Sequence, residues 1–215
     1  RDKLNLLRFM GEDDTAIIHD ALLSDTLDLF VNSKVFSLYD FDDEIDRTAL
    51  PLKGEHNYLN VKAALLACDA YGVDYRELVP YLYTFKPLEH RLEPVGTFDG
   101  VVFVNDSIST IPQAAISACE ALQRVDFLLL GGFDRGIDYQ PLVDYLKAHP
   151  VPHLLFTGKA GERMMQLMDG ISTSSMTCNT KVPEPVEGPK YFYYSSMEEA
   201  FAYISLHAQP GDVCL

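Results

Sequence analysis

The sequence predicts an α/β protein with a mostly parallel sheet, and three observations carry that expectation. From Arg91 onward, short β-rich runs alternate with helical patterns, and strands separated by helices pair in parallel through right-handed crossovers. Two of the runs, 101–104 and 127–130, are apolar throughout, as strands buried on both faces are. Both stop abruptly, the first at Asn105-Asp106-Ser107 and the second at Gly131-Gly132-Phe133-Asp134-Arg135-Gly136. In a parallel sheet such turns lie at the carboxyl ends of strands, where ligands bind.

Taken in order, Leu4, Leu6, Leu7 and Met10 form part of an amphipathic helix with no cap before it. Residues 15–18 and 35–38 are short β-rich runs, and 41–47 is an acidic surface loop. A helix is expected over 57–71, with Leu59, Ala63, Leu66 and Ala70 on one stripe. The amphipathic pattern over 75–85 is interrupted by Pro80, which predicts one helix ending and a short one following. Lys86-Pro87-Leu88 is the expected linker, because Pro87 biases Lys86 toward an extended backbone. Beyond it, 92–98 and 101–104 read as a hairpin about Asp99-Gly100. Helices over 113–122, 140–149, 158–168 and 197–207 are interleaved with strands over 127–130, 154–157 and 191–194, and another strand begins after Pro210. Residues 172–188, rich in Ser, Thr and Pro, read as an exposed loop. Both ends read as cuts, so a piece of a longer protein is expected.

At 47% hydrophobic residues the chain can bury a core, and its 215 residues suit one large domain or two small ones. A formal charge of −15 argues against nucleic acid or an anionic membrane as partner, since phosphates would be repelled. No apolar run reaches bilayer-spanning length. Cys68, Cys119, Cys178 and Cys214 have no metal-ligand spacing, and Cys68 and Cys119, set among alanines, read as buried free thiols of a cytosolic protein.

Several residues are candidates for chemistry, each beside a plainer reading. Asn57 and Asn60 follow Gly54 at i and i+3 on the first turn of a helix, where two amides on one face suit a purine edge. The plainer reading makes Asn57 a helix cap. Arg91 offers a rigid fork for a phosphate, or else a surface ion pair with Glu89 or Glu93. Asp106 suits ribose hydroxyls, or else an Asx-turn or helix cap, and Ser107, Ser109 and Thr110 are also good caps before Pro112. Arg135, in a Gly-flanked turn, suits an anion, or else a pair with Asp134 or Asp138. The chain has neither a G-x-x-x-x-G-K-[ST] loop nor G-x-G-x-x-G.

Together the motifs resemble a known family. Gly54-Glu55-His56-Asn57 with Asn60 and Ala63-Ala64, then His90-Arg91-Leu92-Glu93, then Asn105-Asp106-Ser107, then the Gly131-Gly132 loop, follow the order and approximate spacing of Mur ligases, most like the branch that adds glutamate. The resemblance implies that residues 1–86 are the later part of a central ATPase domain, and 87–215 a truncated Rossmann-like C-terminal domain. It implies an ATP-dependent amide ligation in peptidoglycan synthesis. UDP-N-acetylmuramoyl-L-alanine is activated as an acyl phosphate, with Mg²⁺ present, and glutamate attacks it. By motif position Asn57 and Asn60 lie at the adenine, Arg91 at the nucleotide, Asp106 at the ribose, and Thr110 and Arg135 around glutamate. A cytoplasmic monomer is implied. Ile108 stands where the family often has Lys, and Arg135 where Lys is common in the Gly-Gly loop. The family's phosphate loop, metal ligands and modified lysine have no counterpart in this stretch, so these 215 residues alone are expected to be inactive. The competing readings are a folylpolyglutamate synthase-like ligase and a non-catalytic nucleotide-binding domain.

Overall fold

The computed structural model describes residues 7–22, 34–38, 45–170 and 190–215. They belong to two compact units, Arg1–Pro87 and Leu88–Leu215. The expected loop over 172–188, Cys178, residues 41–44 of the acidic loop and most of the N-terminal helix lie outside the described residues.

In the first unit β1 (Thr15–Ile18) pairs in parallel with β2 (Lys34–Ser37), and α1 (Glu55–Ala70) and α2 (Tyr75–Leu82) follow. Leu38, Ile45, Leu50, Tyr58, Val61, Leu65 and Leu66 form its core. The buried face of α1 therefore runs through Tyr58, Val61, Leu65 and Leu66; of the expected stripe only Leu66 is buried, while Leu59 and Ala63 are half-buried and Ala70 is exposed. Two polar residues, Asn57 and Lys62, are also buried on α1 and disguise that face in the sequence. Pro80 does not split α2, which is a single helix. Asp74 caps it by accepting the Arg76 N–H at 2.9 Å, and Pro80 sits in its last turns, where it removes only one bond of the ladder.

The second unit is a six-stranded sheet. β3 (Glu93–Phe98) and β4 (Val101–Asn105) make the expected antiparallel hairpin, with Asp99 and Gly100 at φ 50° and 84° as a tight primed turn requires. The chain continues through α3 (Pro112–Leu122), β5 (Phe127–Gly131), α4 (Gln140–Ala148), β6 (His153–Thr157), α5 (Gly158–Met168), β7 (Lys190–Tyr194), α6 (Met197–His207) and β8 (Val213–Cys214). All pairings after the hairpin are parallel, in the order β3-β4-β8-β5-β6-β7. Alternate strand residues feed two cores. Leu128, Leu154 and Phe156 pack with Cys119, Leu142, Leu146 and Met164 of α3, α4 and α5. Phe127, Leu155, Val101 and Cys214 pack with Ala200 and Ile204 of α6. Three helices thus cover one face and α6 the other.

Burial pushes the thiol of Cys119 up to about 11 and that of Cys214 up to about 12, whereas Cys68 is only half-buried. At the amino edge of the sheet Arg124 pairs with Asp126 at 2.9 Å and with Asp212 at 3.1 Å. Asp126 also accepts the Val213 N–H at 2.9 Å, tying β8 to β5. Among the described residues no helix is long and apolar enough to cross a membrane.

Candidate functional site

The turn after β4 is locked to the turn before β3. Asp106 accepts the Leu92 N–H at 2.9 Å through Oδ1 and the Ser109 hydroxyl through Oδ2. Ile108 N–H donates to the His90 carbonyl at 3.2 Å. The Asx-turn expected at Asp106 falls instead to Asn105, whose Oδ1 accepts the Ser107 N–H at 3.0 Å. That bond fixes the orientation of the Asn105 amide, so its Nδ2 donates to His90 Nδ1 at 2.8 Å, and the imidazole nitrogen there acts as acceptor. His90 and Leu92 both have positive φ, 64° and 46°, a conformation that costs a non-glycine residue energy and persists where surroundings over-determine it. Arg91 is held between them. Glu93 contacts His90 and leaves Arg91 alone, and Arg91 makes no ion pair among the described residues. The surface ion pair with Glu89 or Glu93 is not formed.

The loop after β5 is shaped by close backbone approach. A Cβ on Gly131 would lie 2.0 Å from the Thr157 carbonyl oxygen, so only glycine fits beside β6. Gly132 donates to that carbonyl at 3.1 Å and accepts from Ala160 N–H at 3.1 Å, joining the loop to the start of α5. Farther along, Nη1 of Arg163 in α5 bridges both oxygens of Asp134, at 2.7 Å from Oδ1 and 3.0 Å from Oδ2, and its Nη2 donates to the Ile137 carbonyl. Its guanidinium also lies 4.9 Å from the Tyr139 ring centre. The Gly136 N–H, first, and Arg163, second, hold the Asp134 carboxyl below its ordinary pKa. Asp138 turns back to accept the Gln140 N–H at 2.9 Å. Both acids expected to pair with Arg135 are therefore engaged elsewhere, and Arg135 is exposed with no ion pair among the described residues.

A cleft of about 1020 Å³ opens at the carboxyl ends of β4, β5 and β6, and it brings Asp106, Thr110 and Arg135 together. Phe98, Phe103 and Phe201 make part of its apolar wall. Thr110 is exposed and unused as a cap: α3 is capped at Ile111 without a side-chain bond, and the Ser109 hydroxyl serves Asp106. Arg91 does not line the cleft. Asn57 and Asn60 belong to the first unit. There Gly54, at φ 94°, caps α1; Asn57 is buried with its Nδ2 donating to the Lys53 carbonyl at 2.8 Å, and Asn60 is exposed. The cap expected of Asn57 is thus taken by glycine. The pairing of Arg163 with Asp134 is not legible in the sequence, since the two lie 29 residues apart and nothing in the sequence links them.

The fold defines an α/β domain with a mostly parallel sheet, and its cleft at the carboxyl ends of the strands carries an exposed arginine. A family model described as "Mur ligase, glutamate ligase domain" matches residues 90–215, and the chain belongs to the Mur ligase family. It is 41% identical over 132 residues to a UDP-N-acetylmuramoyl-L-alanine–L-glutamate ligase of Xanthomonas campestris, covering 60% of this chain and 28% of that one. It is 32% identical over 213 residues to a UDP-N-acetylmuramoylalanine–D-glutamate ligase of Oleidesulfovibrio alaskensis, covering 99% and 43%. The chain thus spans less than half the length of these relatives. Among solved structures, MurF of Acinetobacter baumannii matches with a TM-score of 0.71 at 18% identity over 99% of this chain and 50% of that one. The folylpolyglutamate synthase of Mycobacterium tuberculosis matches at 0.68 and 13% identity, over 99% and 54%. Both show the shared fold.

Proposed function

We propose that the whole protein is an ATP-dependent ligase that joins glutamate to UDP-N-acetylmuramoyl-L-alanine in the cytoplasm for peptidoglycan synthesis. Residues 1–86 would be the later part of its central ATPase domain, and 87–215 its C-terminal domain. The observation that carries the reading is the exposed Arg135, without an ion pair among the described residues, in the cleft of a domain that matches the family's glutamate-ligase model. A guanidinium fork matches a carboxylate with two parallel hydrogen bonds, and the free Thr110 hydroxyl adds a donor and an acceptor. In the reaction a substrate carboxylate oxygen attacks the γ-phosphorus of ATP and ADP leaves. The glutamate amine then attacks the acyl carbon, loses a proton, and phosphate departs. This chain's part is to hold glutamate by its carboxylate with the amine oriented outward.

The remaining assignments belong to the same reading: Asn57 and Asn60 at adenine, Arg91 at the nucleotide, Asp106 at the ribose. Both oxygens of Asp106 already accept one bond, and each retains a free lone pair for a hydroxyl. Mg²⁺ accompanies ATP in such chemistry, yet no group of three His, Cys, Asp or Glu gathers for a metal among the described residues, so no ligand is assigned to this chain. The test is an amide-forming assay of the full-length protein with ATP, Mg²⁺, UDP-N-acetylmuramoyl-L-alanine and each glutamate enantiomer. Product with at least one enantiomer is expected. Product with a folate in place of the UDP-sugar would transfer the protein to the folate branch, and no product with either acceptor would leave a non-catalytic nucleotide-binding domain.

A further inference from the structure

Local Arg–Asp pairs form readily in this chain. Arg76 pairs with Asp74 at 3.5 Å and Arg124 with Asp126 at 2.9 Å, both two residues apart. Arg135 has an aspartate immediately before it and another three residues later, and it pairs with neither. The reason is visible at each acid. Asp138 is turned into the first turn of α4. Asp134 is occupied by Arg163, which reaches over from α5 and whose side chain is only 26% exposed. The same Arg163 is anchored by the Ile137 carbonyl and lies over Tyr139, so it is held in place by more than the acid it neutralises.

We propose that Arg163 is a positioning residue that keeps Arg135 available for the substrate carboxylate by occupying Asp134 in its place. The inference rests on the proposed glutamate-binding role of Arg135 and adds a specific cause for it. An arginine paired with its neighbouring aspartate would have to break that pair before meeting substrate, and the local negative charge would repel the incoming carboxylate. Arg163 removes both costs. Asp134, in turn, is needed because its carboxylate closes the turn on the Gly136 N–H at 2.9 Å. An asparagine can keep that bond through its amide oxygen without the charge.

That difference separates a charge effect from a loop clamp. In the full-length protein, Arg163→Ala is expected to raise the KM for glutamate by about tenfold while the KM for ATP stays within about twofold. Adding Asp134→Asn to that variant should restore most of the loss, because the competing charge is gone and the turn bond remains. Asp134→Asn alone should leave the glutamate KM unchanged or lower, and it tests the idea even if Arg163→Ala does not fold. Arg163→Lys, which keeps a cation for Asp134, should stay within about threefold of the unaltered protein. An Arg163→Ala protein with an unchanged glutamate KM, an equal rise for ATP, or a double variant no better than the single one would overturn the inference. A rise in glutamate KM from Asp134→Asn alone would do the same. Absence of product from the unaltered protein would overturn the functional reading and this inference with it, whereas product combined with any of the results above removes the inference only.

Discussion

The two edges of the six-stranded sheet treat arginine in opposite ways. At the amino edge Arg124 lies among two aspartates and pairs with both, while Asp126 also accepts the Val213 N–H at the start of β8 and Asp212 the Gln209 N–H in the turn after α6. At the carboxyl edge Arg135 has acids on either side and pairs with neither. A charge whose local partners are all satisfied holds strands together. At the carboxyl edge the neighbouring acids are engaged by other groups, and the arginine between them is left without an ion pair among the described residues.

The sharpest way to break this comparison is to remove each arginine in the full-length protein. Arg135→Ala should lower kcat/KM for glutamate by roughly thirty-fold to a thousand-fold, the loss of a charge-assisted fork worth on the order of 2–4 kcal/mol, with little effect on the KM for ATP. Steady-state kinetics with each substrate varied would show it; an unchanged glutamate KM removes Arg135 from the site. Next in size is Asp106→Ala, which strands the Leu92 N–H in a turn with two left-handed residues. Denaturant titration should record a loss of about 1–3 kcal/mol, partly recovered by Asp106→Asn. Arg124→Ala should be smaller still, at most about 1 kcal/mol, since its side chain is 61% exposed, with substrate constants unaltered. The smallest expected effect is on pH dependence. The Asp134 carboxyl is depressed in the folded protein, so its contribution is fully present above the ordinary carboxylate pKa and fades only as pH falls below it, beginning under about pH 4. A thermal-melting series from pH 7 to pH 3 should therefore show Asp134→Asn converging on the unaltered protein only at the acid end.

Much of this site can be found from strand ends alone. The runs ending at Asn105 and Gly131 are apolar and short, and parallel topology puts their turns on one edge whatever the order of strands, so Asp106, Thr110 and Arg135 could be grouped from sequence. What each side chain does there could not be. The freedom of Arg135 depends on Arg163, and the grip of Asp106 on Leu92 crosses a hairpin, 14 residues back. Pairings of this kind leave no periodicity. The face of α1 was misjudged because hydrophobic pattern is blind to buried polar residues such as Asn57 and Lys62. Pro80 misled in the opposite direction, since a breaker in so short a helix removes one bond and the packing of Leu78, Val79 and Leu82 outweighs it. The position of β8 was likewise hidden. Two residues carry no signal for which gap in a sheet they will enter.

The placement of that short strand governs how the domain can come together in time. β4 and β5 are not neighbours; each pairs with β8, so the hairpin and the β5-β6-β7 group share no strand-to-strand bonds until residues 213–214 slide between them. Val213 reaches back 87 residues to Asp126 to make that closure. Contacts so distant along the chain form slowly, and until they form both flanking strands present open backbone edges. On the ribosome the two halves of the sheet must therefore wait, with the backbone edges of β4 and β5 unsealed, for a segment synthesised long after both. A chaperone or a stalled translation complex would meet this domain as two unsealed pieces with sticky rims.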